Sequence, residues 1–149
     1  MLINLALGLS TIVLCLFLQL VLLLFALRYY SRHKSLINSP SFWTSMVVIK
    51  SVMLLLVFGN LMQVAIWALV FMFVGEFAQF NEAFYHSAVN FATLGYGDLV
   101  MSAEHKLLGP IEAINGGLMI GISTAALMTT FQDAVRKTLA ARKYKSSLN

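Results

Sequence analysis

Apolar positions along the chain gather into three long runs, Leu2 to Leu27, Phe42 to Val74 and Leu107 to Phe131. Each suffices for the roughly 20 helical residues that cross a bilayer, so three transmembrane helices are predicted. The second run is overlong, since one helix of that length would extend about 50 Å. Its first turns, SFWTSMVVIK, are therefore expected along or just below one interface, with Trp43 at headgroup depth and the Lys50 stem reaching toward water. Asn60 and Gln63 share one face a turn apart, a spacing that predicts hydrogen bonds to a neighbouring helix rather than an ion site.

Between the second and third runs the pattern changes. Phe80 to Ala92 is apolar enough to enter a membrane but too short to cross it, which predicts a re-entrant half-helix. Asn81 is the expected cap, and Glu82 falls in the first turn at the positive end of the helix dipole. The chain then returns through ATLGYGDL, residues 92 to 99. Non-helical backbone at membrane depth survives only when buried in protein or lining a watery cavity, so these carbonyls need a partner other than lipid. A cation is such a partner.

Composition agrees. Of 149 residues, 60% are hydrophobic and 11% charged, against about a quarter charged in soluble domains. The first run lacks preceding basic residues and a small-residue cleavage site, so it is read as a retained helix rather than a removed signal. Arg28, Arg32 and Lys34 follow the first span and Arg136, Lys137, Arg142, Lys143 and Lys145 the third, whereas the segment between spans two and three holds only Lys106. The positive-inside rule then places the N-terminus outside and the C-terminus in the cytoplasm. Topology and lipid headgroups account for the net charge of +4, and no nucleic-acid partner is expected. Cys15 is the single cysteine, which excludes an intrachain disulfide and a cysteine-built metal site. His33, His86 and His105 are scattered and no nucleophile sits beside a base, so no enzyme is expected.

Thr93-Leu94-Gly95-Tyr96-Gly97-Asp98 resembles the potassium-channel signature TVGYGD, preceded by AFYHSAVNFA where that family has its short pore helix. The likeness runs from Phe80 to about Phe131. It implies an all-α membrane protein with three transmembrane helices, a re-entrant pore helix and a selectivity-filter loop, assembled as a homotetramer among membrane lipids. It also implies K+ ions held by the Thr93 hydroxyl and the carbonyls of Thr93, Leu94, Gly95 and Tyr96. Gly95 and Gly97 would reach left-handed angles cheaply and turn successive carbonyls toward one axis. Tyr96 would brace the filter from behind and Asp98 would stand at the outer mouth. Gly116 and Gly117 match an inner-helix hinge. The run GGLMIGISTAAL resembles the inner helix of simple bacterial channels, with Ile120, Thr124 and Met128 on a cavity-lining stripe; close helix packing is an equally open role for the small residues. A bacterial inner membrane is the location this likeness suggests.

The chain also departs from the family. Leu94 replaces valine or isoleucine, Ala92 a common threonine, and Val89 the pore-helix glutamate of some members. These changes leave a weakly selective cation channel open as an alternative, and beyond it a nonconducting pore-like subunit. Glu112, one turn after Pro110, is an acid inside the third span. It is expected to substitute for the glutamate missing at Val89, bonding Tyr96, His86, Asn90 or a filter amide. Glu76, Glu82, Asp98 and Glu104 are expected to form a cation-attracting outer vestibule. The chain divides into an extra N-terminal helix with its connection (1–36), a pore domain (37–133) and a basic tail (134–149). No span repeats arginine at every third position, so a voltage-sensing helix is not expected. Gating then rests with the pore or an unidentified regulatory partner.

Overall fold

A computed structural model describes residues 1–33 and 42–146. Lys34 and the division at 36/37 lie outside the described residues, as do the side chains of Arg142 and Lys145. Four helices occur in the order α1 (Leu2–Arg32), α2 (Phe42–Phe73), α3 (Phe80–Phe91) and α4 (Leu108–Ser146). There is no strand among the described residues. α1, α2 and α4 are each long and apolar enough to span a membrane, and the molecule is an all-α membrane protein.

The side chains on α1 obey the logic of a lipid-facing helix. Its buried positions are Asn4, Gly8, Thr11, Cys15, Gln19, Leu22, Ala26 and Tyr30, three and four apart, and many are small or polar. Leu9, Val13, Phe17, Leu20, Leu24 and Phe25 are exposed. Lipid tails are as apolar as leucine, so burying leucine gains little there; small side chains let helices approach, and polar ones find partners across the contact. Lone hydroxyls are satisfied within their own helix. Ser10, Thr11, Ser51, Thr129 and Thr130 each donate to the carbonyl four residues back.

Two compact units can be distinguished. The first comprises residues 1–19 and 59–121. Cys15, Val64, Trp67, Phe71, Phe91, Leu108, Ile111 and Met119 form its core. Within it Gly8 lies so close to Ile111 that an added Cβ would meet the isoleucine Cγ2 at 2.9 Å. Gln63 Nε2 donates to Gln19 Oε1 at 2.8 Å, the interhelical bond its spacing predicts. Asn4 Nδ2 donates to the Glu104 carbonyl at 2.5 Å, tying the start of α1 to the segment between α3 and α4.

The second unit comprises residues 20–58 and 122–149. Ala26, Tyr30, Val48, Ile49, Val52, Leu56 and Ala134 are its core. Tyr30 donates to Asp133 at 2.8 Å, and Ser45 shares a hydrogen bond with Thr138 at 2.9 Å. α2 is unbroken from Phe42, with Ser45, Val48 and Ile49 buried. One expectation changes here. The third helix does not end near Phe131 but continues to Ser146. Its extension is rich in alanine, lysine and arginine, carries an Asp133–Lys137 pair one turn apart, and buries Ala134 and Thr138.

The Gln19–Gln63 bond is testable. Gln63→Ala should lower stability by about 0.5–2 kcal/mol, because the buried Gln19 loses its interhelical bond away from water. Replacing both glutamines by leucine should restore most of the loss, measured by thermal unfolding of the detergent-solubilised protein.

Candidate functional site

α3 begins two residues earlier than an Asn81 cap would allow. Gln79 is the N-cap, in extended conformation (φ −116°, ψ 134°), and its side chain makes no capping bond. Its carbonyl accepts from the Ala83 amide at 3.1 Å, which draws Asn81 into the first turn beside Glu82.

The C-terminal end of α3 sets the conformation of the TLGYGD stretch. Ala92 closes the helix, the Thr93 amide donates to Asn90 O at 2.8 Å, and the Leu94 amide donates to Val89 O at 2.9 Å. This paired pattern is a Schellman ending, whose turning residue is usually glycine in a left-handed conformation. Here that residue is Thr93, at φ 58°. A β-branched residue there costs about 1–2 kcal/mol relative to an ordinary conformation. Gly95 and Gly97 repeat the sign at φ 59° and 74°. An added Cβ would find no atom within 4 Å at either glycine, so conformation, not space, requires glycine. Left-handed residues thus alternate through TLGYG. Among the described residues nothing donates to the carbonyls of Thr93 to Gly97. Leu94 is 55% and Tyr96 65% exposed in the protomer.

Side chains of α3 hold the far end of this stretch. Tyr85 donates to Asp98 Oδ2 at 2.6 Å, and the Leu99 amide donates to Oδ1 at 3.0 Å. The tyrosine hydroxyl holds the Asp98 carboxyl below its usual range. His86 Nδ1–H donates to the Leu99 carbonyl at 3.0 Å, which leaves Nε2 to accept from Asn90 Nδ2 at 2.9 Å. Phe71 and Phe77 pack on the imidazole at centroid distances of 5.3 and 5.0 Å. His86, steadied by Asn90, therefore acts on Leu99.

Glu112 is fully buried. Its Oε1 lies 2.5 Å from Ser87 Oγ, and the same hydroxyl reaches Val64 O at 2.7 Å, so α2, α3 and α4 meet at one serine. The Asn90 side chain adjoins the carboxyl. Tyr96, the other expected side-chain partner, is exposed in the protomer. Gly116 is buried against α3: an added Cβ would stand 2.0 Å from the Phe91 carbonyl oxygen. Gly117 has open space, and α4 is unbroken through both. Ile120, Thr124 and Met128 lie on α4, with Ile120 and Met128 exposed and Thr124 largely so. Thr124 and Met128 border an apolar groove with Met46, Ile49 and Met53.

Two side chains of the site, Tyr85 and Ser87, do not stand out in the sequence alone. The available signal is the density of polar residues, Tyr85, His86, Ser87 and Asn90, in a segment short and apolar enough to enter a membrane, where each polar group needs a partner.

Of the four outer acids, Glu76 does not face outward. Its side chain is 7% exposed. Ser102 donates to it from both hydroxyl (2.5 Å) and amide (2.7 Å), and His105 Nδ1 donates at 2.7 Å. Burial alone would raise its pKa, but the Ser102 and His105 bonds outweigh it and hold the carboxyl below the ordinary value of 4.5. The unfolded chain then binds this proton more readily than the folded one. The stabilisation is complete above that ordinary value and is lost as pH falls through the folded one.

The protection of the Ser102 amide relative to its intrinsic exchange rate should accordingly fall in acid as Glu76 is protonated, and Glu76→Gln should lower it and remove this acid dependence, measured by hydrogen exchange. Gly116→Ala should destabilise the fold by roughly 1–3 kcal/mol, because overpacking against backbone cannot be relieved by a rotamer change; Gly117→Ala should be nearly neutral in the same thermal assay.

Comparison with known proteins bears on this arrangement. A family model described as "Ion channel" matches residues 54–133. No curated protein and no solved structure matches. The matched region takes in the later part of α2, all of α3, the TLGYGD stretch and α4 as far as Asp133. Family membership points to ion transport rather than catalysis. With more than half of its 149 residues matched, the chain belongs to the ion channel family.

Proposed function

We propose that four copies of this chain form a potassium-selective channel, with TLGYGD as the selectivity filter and α3 as the pore helix. The observation that carries this reading is the alternation of left-handed residues at Thr93, Gly95 and Gly97 in a stretch whose carbonyls have no donor among the described residues. Such a backbone can aim successive carbonyls toward one side, where a dehydrated cation replaces the missing donors. The Thr93 hydroxyl and the carbonyls of Thr93, Leu94, Gly95 and Tyr96 are the proposed ligands of K+, the transported ion. One stretch surrounds an ion on one side only, so fourfold assembly completes the site. The exposure of Leu94 and Tyr96 in the protomer fits a surface covered by assembly.

In this reading Tyr85, His86 and Asn90 hold the outer end of the filter, while Ser87 and Glu112 fix α3 between α2 and α4. Gly116 sets the contact between α4 and the base of the pore helix; bending at Gly116-Gly117 during gating is compatible with it. Ile120, Thr124 and Met128 would line the inner cavity. The pore domain is residues 37–133, with α1 appended before it and the basic tail after it. The basic clusters put the C-terminus in the cytoplasm and the N-terminus outside, in a bacterial inner membrane. Glu82, Asp98 and Glu104 are the vestibule acids.

Barium tests the pathway. It is close to potassium in size but doubly charged, so it should lodge in a carbonyl-lined filter. Potassium-loaded vesicles holding the purified protein should release K+ in a barium-sensitive manner, and Gly95→Ala should abolish the flux while leaving the protomer folded. Release that ignores barium, or that survives Gly95→Ala, would contradict the proposed route.

A further inference from the structure

The hydrogen bonds around Ser87 raise a question of proton count. The hydroxyl has one proton, yet it lies 2.7 Å from the Val64 carbonyl oxygen and 2.5 Å from Glu112 Oε1. A carbonyl oxygen and an ionised carboxylate both only accept. The one hydroxyl proton can be donated well to only one of the two oxygens, so the other contact needs a proton of its own. A second proton on the carboxyl supplies the difference, so that Glu112 donates to Ser87 Oγ and Ser87 donates to Val64 O.

The surroundings support the same count. Glu112 and Asn115 are fully buried, and among the described residues Glu112 Oε2, Trp67 Nε1 and both Asn115 amide atoms find no partner at hydrogen-bond geometry, although Asn90 adjoins the carboxyl and the Cys15 thiol adjoins Trp67 and Asn115. The groups that meet the carboxyl are uncharged: the Cys15 thiol from α1 and Ser87 and Asn90 from α3, with the Val64 carbonyl of α2 behind Ser87, and Trp67 and Asn115 lie beside that thiol. Among the described residues the ion pairs are Glu76–His105 and Asp133–Lys137, neither of which involves Glu112. An unpaired carboxylate in such a place is far costlier than the neutral acid.

We infer that each subunit binds one proton at Glu112 and uses it to lock α3 to α2 and α4 through Ser87, making the Glu112–Ser87 pair an alkaline-sensitive positioning site for the TLGYGD stretch. Its effect on conduction rests on the channel reading above; the protonation itself does not. When the proton leaves, the Ser87 hydroxyl can serve only Val64 or Glu112, and the newly charged carboxylate has no cation beside it. α3 then loses one of its anchors at the point from which Thr93 to Gly97 is launched.

The test uses the whole protein in lipid vesicles, with glutamate carboxyl carbons labelled by ¹³C. At neutral pH one carboxyl resonance should sit at the position of a protonated acid, disappear in Glu112→Gln, and move to the carboxylate position as the medium is made alkaline. Glutamate carboxyls that are all ionised at neutral pH would overturn the proposal, whether or not the protein conducts. In the same vesicles, potassium over sodium selectivity should be lost on alkalinisation in the wild type and retained in Glu112→Gln, which is neutral at every pH. Ser87→Thr keeps a hydroxyl and should titrate like the wild type, whereas Ser87→Ala should be impaired at neutral pH. A Glu112→Gln channel that loses selectivity in alkali as the wild type does would also overturn the positioning role.

Discussion

Gly116 of α4 packs directly against the Phe91 carbonyl at the end of α3. A single methyl group would reach to within 2.0 Å of that oxygen. The contact brings the last turn of α3 against the backbone of α4, and the other interactions of the site depend on that proximity. With α3 seated there, Ser87 reaches both Val64 and Glu112. His86 and Tyr85, on the preceding turn, reach Leu99 and Asp98 beyond the glycines. The stretch between is therefore held at both ends. At its base Thr93 is fixed by the helix ending; at its top Asp98 and Leu99 are fixed by side chains. Strain at Thr93 persists because both ends are determined by their surroundings.

A second constraint is the solvent. Where lipid replaces water, apolar burial drives little, and polar groups become the specific contacts. The chain uses them sparingly. Ser10, Thr11, Ser51, Thr129 and Thr130 return to their own helix, whereas the pairs Gln19–Gln63, Tyr30–Asp133, Ser45–Thr138 and Ser87–Glu112 each join separate helices. α1 belongs to this scheme: its buried face supplies Asn4, Gly8, Thr11, Cys15 and Gln19 to the first unit, with Cys15 beside Trp67 in the core.

Much of the architecture was legible in the pattern of residues. Three apolar runs became three long helices, and the short apolar segment before TLGYGD became a half-length one, because length against bilayer thickness discriminates well between them. Gln63 announced its interhelical bond because a buried amide in an apolar helix has few alternatives. Burial of Glu112 was legible for the same reason, but its partner was not. Which hydroxyl it meets depends on how α3 rotates against α4, and that is set by the Gly116 contact between residues distant in sequence. The inward turn of Glu76 was hidden likewise, since Ser102 and His105 come back to it through a loop without periodicity. The α3 cap was misplaced by two residues because extended Gln79 starts the helix with backbone alone. The continuation of α4 to Ser146 is not legible in the apolar run, which ends at Phe131, because the helix goes on in alanine, lysine and arginine, which favour helix without being apolar throughout.

Whether the backbone of TLGYGD selects potassium decides how the assembled protein works. The most direct measurement is the reversal potential of single channels of the purified protein in planar bilayers, with potassium on one side and sodium on the other. Selection by the filter carbonyls predicts reversal strongly displaced toward the potassium equilibrium potential. Reversal near zero, with both ions carrying current equally, would contradict it.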